Sequence, residues 1–297
     1  MTTSALIFGS ALIAFAPTTS ILFAVTYSKA QLIIVVTTSA FCFLIAALFS
    51  SICYVILPKV FLSMTVPSIF CQAFTRIQFV KFYIKVEGAI IQAMENHRRE
   101  HTSTNNDTSD NTSSSDGAES LTLAMNDWTS GLAAGVGYGF MHAILLCGTL
   151  LASEARDDAG VLYQDSCKNI PSVLNTSFMA MLFSVLDVVI MLLYFYAVRR
   201  KAENDSMICN VNASTFGVGN DRSAKAASAN AAIIAALIAH TSAAFASWLN
   251  GSLTNGCFFA LPLVAAVVCV VGVFFCLYVM PFYLPASQRR QIESRMD

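Results

Sequence analysis

Charge is what this sequence has least of. Only 12% of its 297 residues are Asp, Glu, Lys or Arg, roughly half the share of about 25% in an average soluble domain. Hydrophobic residues make up 56%, and mean hydropathy is +0.64. A soluble protein of 32.0 kDa does not cover its surface with so few charges. The apolar content also excludes disorder over most of the chain. Lys+Arg 17 against Asp+Glu 18 leaves no basic footprint for a nucleic acid. No CxxC pair occurs, which argues against a zinc or redox motif. The nine cysteines do not read as a disulfide framework. Cys42, Cys53, Cys71, Cys147, Cys257, Cys269 and Cys276 lie in or beside apolar segments, where cysteine acts as a small hydrophobe. Cys167 and Cys209 lie in polar loops that are expected on opposite sides of a membrane, so they are not expected to pair.

What is abundant is long apolar runs. Seven can be read off, over residues 4–27, 31–57, 60–83, 130–152, 170–198, 226–249 and 257–284. Each meets the roughly 20 residues a spanning helix needs. The third carries Arg76 and Lys81 in its last turns, placed there to snorkel to the headgroups. The first lacks a basic leader and is too long for a signal peptide, so it is expected to be a retained helix. Orientation follows from the basic residues. Lys29, Lys81, Lys85, Arg98, Arg99, Arg199, Arg200, Lys201, Arg222, Lys225, Arg289, Arg290 and Arg295 fall on one side. Lys59, Arg156 and Lys168 fall on the other, and Arg76 lies within a span. Thirteen against three predicts the N-terminus outside or lumenal and the C-terminus cytosolic. The expected fold is therefore an all-α membrane protein, one seven-helix bundle over 1–297. A disordered cytosolic loop is expected at 95–125, a second cytosolic loop at 199–225 and a cytosolic tail at 285–297.

Three features stand out within the spans. Gly131, Gly135 and Gly139 recur every four residues on the fourth, forming a groove about 12 Å long on one helix face. Ala143 extends it. Small residues let helix backbones approach closely in lipid. The groove is expected to dock a helix, with a partner protein's helix favoured over ordinary packing within the bundle. Span six carries a comparable ridge of Ser228, Ala232, Ala236 and Ala244, interrupted by His240. Span five holds Asp187 among Val185, Leu186, Val188 and Val189. A charge at mid-bilayer costs at least ~2.5–3.5 kcal/mol, so it needs a partner or a wet cavity. A polar pocket of Asp187, His240 and His142 is expected, set against the plainer reading of three separate packing contacts. The position of His142 just past Gly139 also leaves a place near the outer interface open.

Nothing points to catalysis, a metal or a cofactor. His97-Arg98-Arg99-Glu100-His101 matches the HxxEH form of an inverted zinc-protease motif. It abuts a polar tract, carries two arginines that repel a dication, and reads as a solvated helix end. Asp187 is the only deep intramembrane acid, so a two-aspartate protease cannot be built from this chain alone.

These features together resemble the Aph subunit of gamma-secretase, the anterior-pharynx-defective family. Phe8-Gly9 followed by Ile13-Ala14-Phe15 and Pro17 is similar to the family's first helix, and Ser50-Ser51 to the end of its second. Gly131, Gly135 and Gly139 match its tandem GxxxG signature. Arg76 and Lys81 fit the basic end of its third helix, and His240 its sixth-helix histidine. Aligning Ser177-Phe178-Met179 with the fifth helix puts Asp187 where a histidine is usual, so a paired-histidine cavity becomes an Asp–His pair. The tracts 105–120 and 203–224 look expanded, marking a divergent member. The resemblance implies a non-catalytic scaffold that assembles with nicastrin, presenilin and the presenilin-enhancer subunit. It also implies membranes of the endoplasmic reticulum, Golgi and cell surface, and a supporting role in cleavage of Notch-type and amyloid-precursor-type proteins. The rival class is a seven-helix receptor or transporter. Against it, the sequence lacks an Asp/Glu-Arg-Tyr triplet after span three, an Asn-Pro-x-x-Tyr motif in span seven and an internal repeat.

Overall fold

A chain in lipid has no water to satisfy its peptide groups, so apolar runs of this length close their hydrogen bonds internally as helices. The computed structural model of the chain is almost entirely helical. It describes residues 3–56, 61–104, 127–148, 163–164, 167–210, 219–252 and 256–283. Seven long helices are found among them: α1 (Thr3–Ser28), α2 (Leu32–Ile56), α3 (Phe61–Thr104), α4 (Asp127–Ala143), α5 (Ser172–Asn210), α6 (Gly219–Ser252) and α7 (Cys257–Phe274). A π turn, Ile144–Gly148, prolongs α4. Another, Phe275–Val279, carries α7 into the short α8 (Met280–Tyr283). Two short strands, β1 (Tyr163–Gln164) and β2 (Cys167–Pro171), pair antiparallel ahead of α5.

Six of the seven long helices are long and apolar enough to cross a membrane. The remaining one, α3, carries Arg76, Lys81, Lys85 and Glu87 along its length. It corrects the expected loop boundary, because it continues past Tyr83 to Thr104 and makes 95–104 helical. Hydropathy ends where charge begins, whereas the stretch 85–100 is rich in Glu, Ala, Gln, Met and Arg, which favour helix without being apolar. The same correction applies to 199–225: α5 runs on to Asn210 and α6 begins at Gly219. The rest of both loops, and the tail over 285–297, lie outside the described residues.

Helix α5 is the axis of the bundle. From Leu186 to Val198 every side chain except Val189 is buried, as a helix that is apolar all round should be. Helices α1, α3, α4, α6 and α7 all pack on it. Phe8, Phe23, Phe41, Phe70 and Phe82 are instead exposed on the outside of the bundle. Ser10, Ser39, Ser130, Asn175 and Ser184 are buried inside. Aromatics such as Phe43, Phe79, Phe183 and Phe195 are buried too; what marks a lipid solvent is that large apolar side chains face outward without cost while polar ones are kept between helices.

Six described cysteines are free: Cys42, Cys53, Cys71, Cys147, Cys269 and Cys276. Cys257 is disulfide-bonded, which corrects its reading as a plain small hydrophobe. It is the first residue of α7, so it stands at the end of the apolar run rather than within it.

Candidate functional site

The glycine face of α4 is filled from within the chain. A Cβ on Gly135 would lie 2.7 Å from Cα of Val188, and one on Gly139 would lie 2.7 Å from the carbonyl oxygen of Ser184. A Cβ on Gly131 would meet the Leu192 side chain at 2.9 Å. All three contacts are with α5, and the Ser184 hydroxyl donates a 3.0 Å hydrogen bond to the Gly139 carbonyl across them. The partner helix expected in this groove is thus the chain's own α5. The opposite face is closed as well, because a Cβ on Gly137 would overlap Ser39 Oγ and the Val36 carbonyl of α2. Helix α4 is a thin slab between α2 and α5, and both of its contacts depend on absent side chains.

That close approach brings α4 and α5 into register around Asp187. The Asp187 carboxylate is 2% exposed and makes an ion pair with Arg76, whose side chain is fully buried. The second carboxylate oxygen lies 2.7 Å from Nδ1 of His142 on α4. The guanidinium of Arg76 sits over the ring of Tyr138, 4.9 Å from its centroid, an arrangement favoured by the ring quadrupole. The Tyr138 hydroxyl in turn donates to Thr75 at 3.4 Å. Arg76 Nε and Nη1 have no hydrogen-bond partner among the described residues. Rings of Phe43 and Phe183 flank His142 at 5.4 and 5.1 Å.

Arg76 therefore does not snorkel. It points into the bundle, because an unpaired carboxylate at that depth is more costly than a buried ion pair. Charge counting alone held the signal: one base and one deep acid were left inside the spans. His142 is a direct partner of Asp187 and not an outer-interface residue. His240, on α6, is buried but makes no hydrogen bond to Asp187. It meets His142 instead as a wall of one cavity of about 580 Å³, which Thr65, Ser68, Gln72, Thr176, Ser247 and Asn250 also line. The expected Asp187–His240 pair is replaced by an Arg76–Asp187–His142 cluster beside a polar cavity that both histidines share. Nearby, Asn175 Nδ2 donates to Asn250 Oδ1 at 2.9 Å, tying α5 to α6.

Chemically, this is a tie between helices. An aspartyl protease needs two carboxylates sharing a proton, and here a single carboxylate is neutralised by a guanidinium. The cluster joins α3, α4 and α5 at one point, and further polar contacts brace the same helices elsewhere. Tyr83 and Ser130 hydroxyls are 2.8 Å apart between α3 and α4, and Arg199 pairs with Glu87 between α5 and α3.

No curated protein matches the chain well enough to count as a relative. The model of one protein family, described as Aph-1 protein, matches residues 5–281, which takes in all seven long helices from near the start of α1 to the end of α7 and the polar cluster they enclose. By that match the chain belongs to the Aph-1 family.

Proposed function

We propose that this protein is a non-catalytic scaffold subunit of gamma-secretase, holding presenilin, nicastrin and the presenilin-enhancer subunit in one membrane complex. Family membership over 5–281 carries this reading and supports a subunit role. The polar contacts among the described residues support it: the Arg76–Asp187–His142 cluster, Tyr83–Ser130 and Arg199–Glu87 each join one helix to another. In this role the protein stabilises the catalytic partner and supports intramembrane cleavage of type I membrane proteins of the Notch and amyloid-precursor kind.

Seven membrane crossings with the N-terminus lumenal and the C-terminus cytosolic belong to the same proposal, with residence in the endoplasmic reticulum, Golgi and plasma membrane. The basic-residue asymmetry supports the orientation. So does the disulfide at Cys257. Disulfides persist in oxidising compartments, and in this orientation the start of α7 is lumenal.

The test is affinity purification of the full chain from mild detergent. Presenilin and nicastrin are expected to co-purify in a stable complex, and loss of the chain is expected to abolish cleavage. A chain that runs alone, in cells whose gamma-secretase is intact without it, overturns the proposal.

A further inference from the structure

A second cleft lies between α3, α5 and α6, away from the polar cluster. It has a volume of about 310 Å³ and is lined by Ile77, Lys81, Ile84, Val198, Lys201, Ala202 and Ile233. Its walls are aliphatic, and its charges among the described residues are two ammonium groups from two helices. Both lysines are exposed, and no carboxylate lines the cleft among the described residues. Two arginines at this end of the bundle are already engaged. Arg199 pairs with Glu87. Arg200 lies 3.9 Å from Glu203 and stacks over Phe282, 4.6 Å from its centroid. Lys81 and Lys201 make no ion pair with a described residue.

We propose that this cleft binds an anionic phospholipid, its phosphate and headgroup carboxylate held by Lys81 and Lys201 and its upper acyl chain by Ile77, Ile84, Val198 and Ile233. Lysines lay their stems along apolar walls and keep the ammonium at the headgroup level, and basic clefts between helices take anionic headgroups. Lys201 stands at the C-terminal end of the apolar part of α5, within three residues of the span's last residue at Glu203, and Lys81 lines the same cleft, so the two ammonium groups sit where that apolar span ends. Assignment to the cytosolic leaflet rests on the orientation proposed above; the binding itself does not.

The experiment is equilibrium binding to the full chain in neutral detergent, with whatever subunits it retains. The probes are phosphatidylserine and phosphatidylcholine carrying the same acyl-chain fluorophore. Phosphatidylserine is expected to bind at least about tenfold more tightly, since each lysine near an anionic headgroup contributes about fivefold. Lys81→Gln with Lys201→Gln is expected to weaken phosphatidylserine by about thirtyfold and to erase the preference. Lys81→Arg with Lys201→Arg should keep the preference, and so should Lys85→Gln, an exposed lysine outside the cleft. An unchanged thermal midpoint of the glutamine variant without lipid shows that it is folded. Equal binding of the two lipids, an unaffected glutamine variant, or displacement of phosphatidylserine by inorganic phosphate alone would each overturn the proposal.

Discussion

The buried Arg76–Asp187 pair makes the sharpest prediction. Asp187→Ala leaves a guanidinium with no carboxylate in a site where its side chain has no exposure at all. Two of its nitrogens already lack partners, so no spare acceptor is at hand. Breaking a buried pair from one side costs about 3–5 kcal/mol, which is roughly two to nearly four powers of ten in the folded ratio. Arg76→Met should cost a similar amount, because it strands the carboxylate, with only His142 left beside it. The double variant Arg76→Met/Asp187→Leu removes both charges and refills the space with apolar atoms, so it should be more stable than either single variant. The cycle should therefore show a coupling of at least ~2 kcal/mol. Unfolding in mixed micelles of rising dodecyl sulfate fraction measures this, with fluorescence of Trp128, stacked on Phe275 at 5.6 Å, as the reporter. If Asp187→Ala unfolds at the wild-type detergent fraction, or if the double variant sits at the sum of the singles, the pair does not hold the bundle and the reasoning fails. Asp187→His belongs in the same series. A neutral imidazole cannot offset Arg76, so this change should cost most of what Asp187→Ala does, despite the histidine expected there from the family pattern.

Other predictions follow from the same contacts. Gly135→Ala and Gly139→Ala should unseat α4 from α5, because their Cβ atoms meet backbone at 2.7 Å. Gly131→Ala should be milder, since only the Leu192 side chain must move. Gly9→Ala and Gly272→Ala, with nothing within 4 Å, should be neutral or stabilise by up to ~1 kcal/mol; dodecyl sulfate midpoints rank all five. His142→Ala should cost about 1.5–3 kcal/mol, the value of one hydrogen bond to a charged group, and so less than Asp187→Ala in the same assay. Maleimide labelling of the denatured, unreduced chain should leave Cys257 unmodified and label Cys42, Cys53 and Cys71, which peptide mapping will show.

The sequence by itself determined the solvent, the number of long helices and nearly all their apolar limits. Those depend on run length and on hydropathy, and both are local. The charge count also left Arg76 and Asp187 as the two ions inside spans. Their pairing was not legible, because they are 111 residues apart and only the seating of α3 against α5 brings them together. The glycine repeat predicted a docking face, but a repeat cannot say whose helix docks. Tertiary structure decided that, since α5 fits where Gly131, Gly135 and Gly139 have no side chain. The position of His240 along α6 suggests a pair with Asp187; in the fold His142 takes the carboxylate, and His240 lines the cavity it shares with His142. The helical extensions of α3 and α5 escaped a reading based on hydropathy, because propensity continues a helix beyond the point where apolar character stops. What a residue dissolves in is local and can be read from the chain, but what it touches is fixed by how the helices pack.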